Sequence, residues 1–137
     1  MIHIVIGLPG SGKTTYVNNI RKHNELVYDM DYISTALVLN NNECANSRTV
    51  SNMLLENVIR YFSYLDNDSY IIRCCPSIQD IDIFNKYDID FIWIDGDIDS
   101  CMKRRENITL EKMIEYNDRI MNFVTKHECK IINCERW

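Results

Sequence analysis

Short apolar runs alternate along this chain with stretches whose apolar residues recur every three or four positions, the pattern of strands alternating with helices. Ile2 to Leu8 is an almost unbroken apolar run, as a strand covered on both faces requires. A helix is predicted from Lys13 to about Arg21, then a short second strand from Glu25 to Tyr28, ending at Asp29. Asp31 to Leu39 reads as helix, and Asn40 to Ser47 as a polar loop, expected to be the most mobile segment. Thr49 to Leu65 places Met53, Leu54, Val58 and Phe62 on one helical face. Tyr70 to Cys75 is a third strand, stopped by Pro76, and Phe91 to Ile94 a fourth, ending in Asp95-Gly96. A short helix is predicted over Ser100 to Arg105. Thr109 can cap a longer one, with Glu111 in its first turn and Lys126 and His127 near its end, as the helix dipole favours. Lys130 to Asn133 makes the fifth strand. The alternation predicts an α/β fold: one three-layer domain over residues 1–137, with a parallel sheet whose strand order the pattern leaves open.

Composition narrows the setting. A length of 137 residues supports one core, and the shares of hydrophobic (46%) and charged (26%) residues are those of an ordinary globular chain. No apolar run approaches the roughly 20 residues that cross a bilayer, so no membrane partner is expected. The first ten residues lack the basic start and cleavage site of a signal peptide, which predicts a cytoplasmic protein. A net charge of −5 argues against a broad nucleic-acid footprint and leaves room for a local cationic pocket. The six cysteines show no C-x-x-C pairing and are expected as reduced thiols; Cys74 and Cys75, side by side on the third strand, are read as packing residues facing opposite ways. His3 in the first strand is read as packed rather than catalytic, and His23, His127, Trp93 and Trp137 carry no functional signal.

Between the first strand and the first helix stands Gly7-Leu8-Pro9-Gly10-Ser11-Gly12-Lys13-Thr14, which meets G-x-x-x-x-G-K-[ST] at every fixed position. Such a match arises by chance in a chain of this length on the order of 0.5% of the time. Glycines let consecutive N–H groups turn inward around a polyphosphate, and the helix N-terminus adds its positive dipole end. Gly7, Pro9, Gly10, Ser11, Gly12, Lys13, Thr14 and Thr15 are the expected phosphate-binding set. Lys13 should reach the β- and γ-phosphates, and the Thr14 hydroxyl should ligate Mg²⁺. The expected ligand is a nucleoside triphosphate, ATP with Mg²⁺.

The runs VIGLPGSGKTTYV, VYDMDYIS, YIIRCCPS and FIWIDGDIDSCMKRR resemble the small P-loop kinase group, nearest to bacteriophage polynucleotide kinases and related phage AAA-type ATP-binding proteins. The resemblance implies a P-loop NTPase fold with a five-stranded parallel sheet in the order 2-3-1-4-5 and a lid after the fourth strand. It also implies an aspartate after strand two that engages an acceptor hydroxyl; Asp29 and Asp31 match by position, with Asp29 the first choice as base. Helix capping is the structural alternative for Asp31. The related phage kinases carry an arginine three residues after that aspartate, where Tyr32 and Ser34 stand here, which weakens a nucleic-acid 5′-hydroxyl as acceptor.

Arg73, inside the third apolar run, needs an anionic partner if buried and is expected near an acceptor phosphate or one of the aspartates; an arginine reaching solvent is the alternative. By the resemblance, Arg104 and Arg105 fall in a short lid and compensate transition-state charge. Asp95, closing FIWID, is a secondary metal candidate beside Thr14, or a turn residue with Gly96. Arg119 is expected as a surface or salt-bridge residue. The residues thus point to an ATP-dependent kinase acting on a hydroxyl or phosphate acceptor of nucleotide or nucleic-acid type. The competing reading is a P-loop ATPase or nucleotide-dependent binding module with no acceptor.

Overall fold

The computed structural model describes residues 1–105 and 107–134; Trp137 lies outside them. Five strands, β1 (Ile2–Ile6), β2 (Val27–Asp29), β3 (Ser69–Ile72), β4 (Ile89–Asp95) and β5 (Cys129–Asn133), form one sheet in the order β2-β3-β1-β4-β5. All pairings are parallel. The central strand β1 sets Ile4 beside Ile71 of β3 and Phe91 of β4. The helices are α1 (Lys13–Ile20), α2 (Met30–Ala36), α3 (Ala45–Phe62), α4 (Ile78–Phe84), α5 (Ile98–Arg104) and α6 (Leu110–Lys126). This is the three-layer α/β P-loop arrangement that the resemblance implied.

Strand alternation sorts the core into two faces. Ile2, Ile4, Ile6 and Ile71 pack against Leu55, Ile59 and Phe62 of α3, Phe84 of α4 and Phe123 of α6. Val5, Ile72, Ile92 and Ile94 face the other way, onto Tyr16 and Val17 of α1. A third cluster, with Leu8, Cys75, Cys101, Met113 and Ile120, closes the C-terminal edge of the sheet under α5 and α6. No helix among the described residues is long and apolar enough to cross a membrane.

Several boundaries differ from the sequence reading. Strand β3 ends at Ile72, so Arg73, Cys74 and Cys75 lie in the turn beyond it rather than on alternating sheet faces. Helix α3 begins at Ala45, four residues before Thr49, because the Ser47 hydroxyl accepts a hydrogen bond from the Cys44 N–H at 2.9 Å and starts the helix there. Helix α4 was not anticipated at all. Its start is a reciprocal box: Ser77 Oγ accepts from the Asp80 N–H at 3.1 Å, and Asp80 Oδ2 accepts from the Ser77 N–H at 2.9 Å. The segment between α2 and α3 turns through Leu39 and Asn40, both at positive φ (54° and 62°), with Leu39 86% exposed.

Candidate active site

The loop from Gly7 to Gly12 joins β1 to α1 at the C-terminal edge of the sheet, where open α/β folds place their ligands. Gly10 and Gly12 have φ of 81° and 93°, a conformation that side chains resist. A Cβ on Gly10 would lie 2.7 Å from the Cys101 carbonyl oxygen, so α5 fixes how closely the loop can be approached from behind. Helices α2, α4, α5 and α6 each begin under a capping oxygen, from Asp29, Ser77, Asp97 and Thr109. Helix α1 begins at Gly12 with no side-chain cap and no acid in its first turn. Its leading N–H groups are therefore available to an anion.

Lys13 folds back over this loop. Its Nζ donates to the carbonyl oxygens of Gly7 at 2.8 Å and Leu8 at 2.9 Å. Burial pushes its ammonium below the ordinary 10.5, against the pull of Asp31 and Asp29. An ammonium held by neutral carbonyls and short of solvent gains from any anion that enters.

A cleft of about 650 Å³ opens above the loop. Pro9, Gly10, Gly12, Lys13, Thr14 and Thr15 form its floor, Asp29 and Asp31 one wall, and Arg104 and Arg105 another. Gly7 and Ser11 are buried beneath it. Thr14 Oγ1 donates to Asp29 Oδ2 at 3.3 Å, so a hydroxyl and a carboxylate meet where a divalent ion would sit beside a triphosphate. Asp29 Oδ1 accepts from the N–H groups of Asp31 and Tyr32 at 3.1 and 3.2 Å, which makes Asp29 the cap of α2 and holds its other oxygen towards Thr14. The cap expected of Asp31 therefore belongs to Asp29. Arg104 Nη1 donates to the Gly10 carbonyl at 3.1 Å, tying α5 to the loop.

The donors fit a magnesium-bound triphosphate: uncapped N–H groups and an ammonium for phosphate, Thr14 and Asp29 oxygens for a hard cation. Among the described residues no group of three or more His, Cys, Asp or Glu side chains forms a metal cage. Magnesium commonly takes one or two carboxylates and completes its shell from substrate phosphates and water.

A second cleft, of about 560 Å³, adjoins the first and shares Pro9, Asp31, Thr35 and Arg105 with it. Asp31 thus faces both. Arg73 lines the second cleft but stands beyond the strand, and its anionic partner comes from the protein: Nε lies 2.5 Å from Oδ2 of the buried Asp80, and Nη1 donates to Asn52 Oδ1 at 3.0 Å. Asp95 ends β4 exposed and lines neither cleft, so the metal candidate from strand four is not brought to Thr14. Arg119 is exposed on α6, the surface position expected of it; it lines the second cleft and has no salt bridge among the described residues. Sequence reasoning also missed Arg48, Asn52 and Tyr116 on its walls. Polar residues on the outer face of α3 and α6 give no signal of what they face; the S-x-x-D spacing of Ser77 and Asp80 is a local signal that could have pointed to Asp80.

Sheet order, loop and clefts together place the chain in the three-layer P-loop class. Among solved structures it resembles a chain of the Pnkp1/Rnl/Hen1 RNA repair complex, with a TM-score of 0.72 and 17% identity over 94% of its length; it spans 46% of that chain. It also resembles a shikimate kinase from Bacteroides thetaiotaomicron, with a TM-score of 0.70, 16% identity, and coverage of 98% of this chain and 86% of that one. A sugar kinase from Janibacter sp. HTCC2649 aligns with a TM-score of 0.69 and 12% identity over 98% of this chain and 85% of the other. At these identities the likeness is one of fold. No family model matches the chain, and no curated protein matches its sequence.

Proposed function

We propose that the chain is an ATP-dependent phosphotransferase that moves a γ-phosphate to a hydroxyl or phosphate acceptor of nucleotide or nucleic-acid type. The observation that carries this reading is the meeting of two clefts at Asp31, with the phosphate loop on one side and a separate polar chamber on the other. An ATPase with no acceptor has no use for the second chamber. Similar folds among shikimate, sugar and gluconate kinases support the same reaction class.

The roles follow from position. The N–H groups of Gly10 to Thr14 and the Lys13 ammonium grip the phosphates. Thr14 and Asp29 would hold Mg²⁺, which would supply Lewis-acid stabilisation of charge on the transferring phosphate. Asp31 lies between the clefts and aligns the acceptor hydroxyl, accepting its proton; Asp29, spent on the α2 cap and on Thr14, is less free for that task than the sequence alone implied. Arg104 and Arg105 compensate charge from the α5 side, and Arg73 shapes the acceptor chamber from its fixed pairing with Asp80. The described cysteines are all free, which fits a cytoplasmic setting.

One observation favours the ATPase or binding-module reading: Tyr32 and Ser34 stand where the related phage kinases place an arginine, and Ser34 is buried. Incubation with γ-labelled ATP and a panel of nucleosides, nucleotides and 5′-hydroxyl oligonucleotides separates the two. Label in an acceptor supports transfer, and label found only in free phosphate replaces it with hydrolysis.

A further inference from the structure

The second cleft has a charge unlike that of the molecule around it. Arg48, Arg73, Arg105 and Arg119 line it against the carboxylates of Asp31 and Glu43, in a chain whose formal charge is −5. Guanidinium groups offer planar forks of donors that match phosphate and carboxylate oxygens. The protein itself answers two of the four: Arg73 pairs with Asp80 at 2.5 Å and Arg48 with Glu43 at 3.7 Å. Arg105 also lines the first cleft and is within reach of a triphosphate there. That leaves Arg119, which among the described residues has neither an ion pair nor a hydrogen bond. It stands on α6, which Met113, Ile120 and Phe123 lock into the core, so its backbone is rigidly placed. Tyr116, one turn earlier and half-buried, lines the same wall.

We propose that this cleft takes a small acceptor bearing an anionic group of its own, a phosphate or a carboxylate, which Arg119 grips with Arg48 beside it. The acceptor's free hydroxyl then lies at Asp31, the carboxylate common to both clefts. This rests on the phosphotransferase reading. In the transfer, the hydroxyl oxygen bonds to the γ-phosphorus while the bond from that phosphorus to the β–γ bridging oxygen breaks. ADP leaves with that electron pair, and the hydroxyl proton passes to the Asp31 carboxylate. A cleft of about 560 Å³ suits a single nucleotide or a sugar acid. A neutral polyol of the same size would leave Arg119 without a counter-charge.

Calorimetry on the full chain, with Mg²⁺ and a non-hydrolysable ATP analogue present, tests this with matched pairs: adenosine against adenosine 3′-monophosphate, and glucose against gluconate. The anionic member of at least one pair should bind about tenfold or more tightly than its neutral partner. Preference for the nucleotide identifies phosphate as the recognised group, and preference for gluconate identifies carboxylate. Arg119→Gln should erase most of that gap, Arg119→Lys should keep part of it, and Arg48→Gln should narrow it. Equal or absent binding within both pairs overturns the proposal, as does a gap that survives Arg119→Gln in a variant of unchanged thermal stability. The readout needs no turnover, so the two readings fail separately. Transfer to neutral and charged acceptors alike keeps the phosphotransferase and removes the anion site. Hydrolysis alone, with a gap that depends on Arg119, does the reverse.

Discussion

Thr14 Oγ1 donates to Asp29 Oδ2 at 3.3 Å, joining the first turn of α1 to the end of β2 although fifteen positions separate them in sequence. One oxygen of Asp29 caps α2 and the other faces Thr14, so the cap orients the carboxylate that the site uses. Asp29→Asn keeps an oxygen for the cap and loses the second anionic donor. The variant should stay folded, require at least roughly tenfold more Mg²⁺ to saturate ATP binding, and lose transfer by at least ~100-fold. Magnesium titrations at fixed ATP check this. An unchanged magnesium requirement would remove Asp29 from the metal's side of the cleft.

Asp31 lines both clefts and makes no side-chain hydrogen bond among the described residues. Asp31→Asn should therefore slow transfer by at least ~100-fold while ATP affinity changes by less than about threefold. Its stability cost should be small, about 0.3–1 kcal/mol from the first turn of α2. Single-turnover rates beside ATP affinity separate the two effects; normal transfer would move the base elsewhere.

The pair of Arg73 with Asp80 is a stability feature that also shapes the acceptor chamber. Asp80 is 5% exposed and Arg73 19% in their side chains. Removing the carboxylate leaves a guanidinium with little water and loosens the start of α4. Asp80→Ala should cost about 2 kcal/mol, less than the full penalty for a wholly buried pair because Arg73 keeps some solvent. Urea unfolding measures it, and a change below about 0.5 kcal/mol would contradict the role.

Much of this was visible beforehand where local chemistry and geometry coincide. The loop from Gly7 to Thr14 is a contiguous run whose glycines, lysine and threonine each have one use, and the apolar run before it reads as a strand covered on both faces. Helix α4 was lost because Ile81-Asp82-Ile83 alternates like a strand, with Ile78 77% exposed and Phe84 the one apolar residue of the helix that is fully buried. Its defining signal was the pair Ser77 and Asp80. The acceptor chamber was illegible for a different reason: Arg48, Asn52, Tyr116 and Arg119 come from two distant helices, and only the folded sheet brings those faces together. Asp95 misled because an aspartate ending an apolar strand looks the same on any strand, while the cleft lies on the side of β2, β3 and α5.

Alkaline pH should weaken the fold. Burial pushes the thiols of Cys75 and Cys101 up to about 11 from 9.0, and burial, with Glu25 and Asp68 nearby, pushes the Tyr70 phenol up to about 12 from 10.0. The unfolded chain therefore releases these protons first. The stability they supply is complete below pH 9 and is lost as pH climbs through 9 to 12. Lys13 acts oppositely: its lowered value means the unfolded chain holds that proton longer, so its contribution rises towards pH 10.5. Burial shifts Tyr28, Cys74 and Cys129 upward as well, so the raised groups outnumber the lowered Lys13 and Cys44. The urea midpoint should hold between about pH 7 and 8.5 and fall above 9. A midpoint that rises there would contradict the assignment.

The account as a whole stands on the loop gripping a triphosphate, and calorimetry of Mg·ATP binding to the wild-type chain and to Lys13→Ala tests that most directly. The wild type should bind one ATP per chain. The variant, still folded by circular dichroism, should lose affinity by at least ~100-fold, since it lacks the ammonium now resting on the Gly7 and Leu8 carbonyls. A folded wild type that takes up no nucleoside triphosphate, or a variant that binds ATP as well as the wild type does, would contradict it.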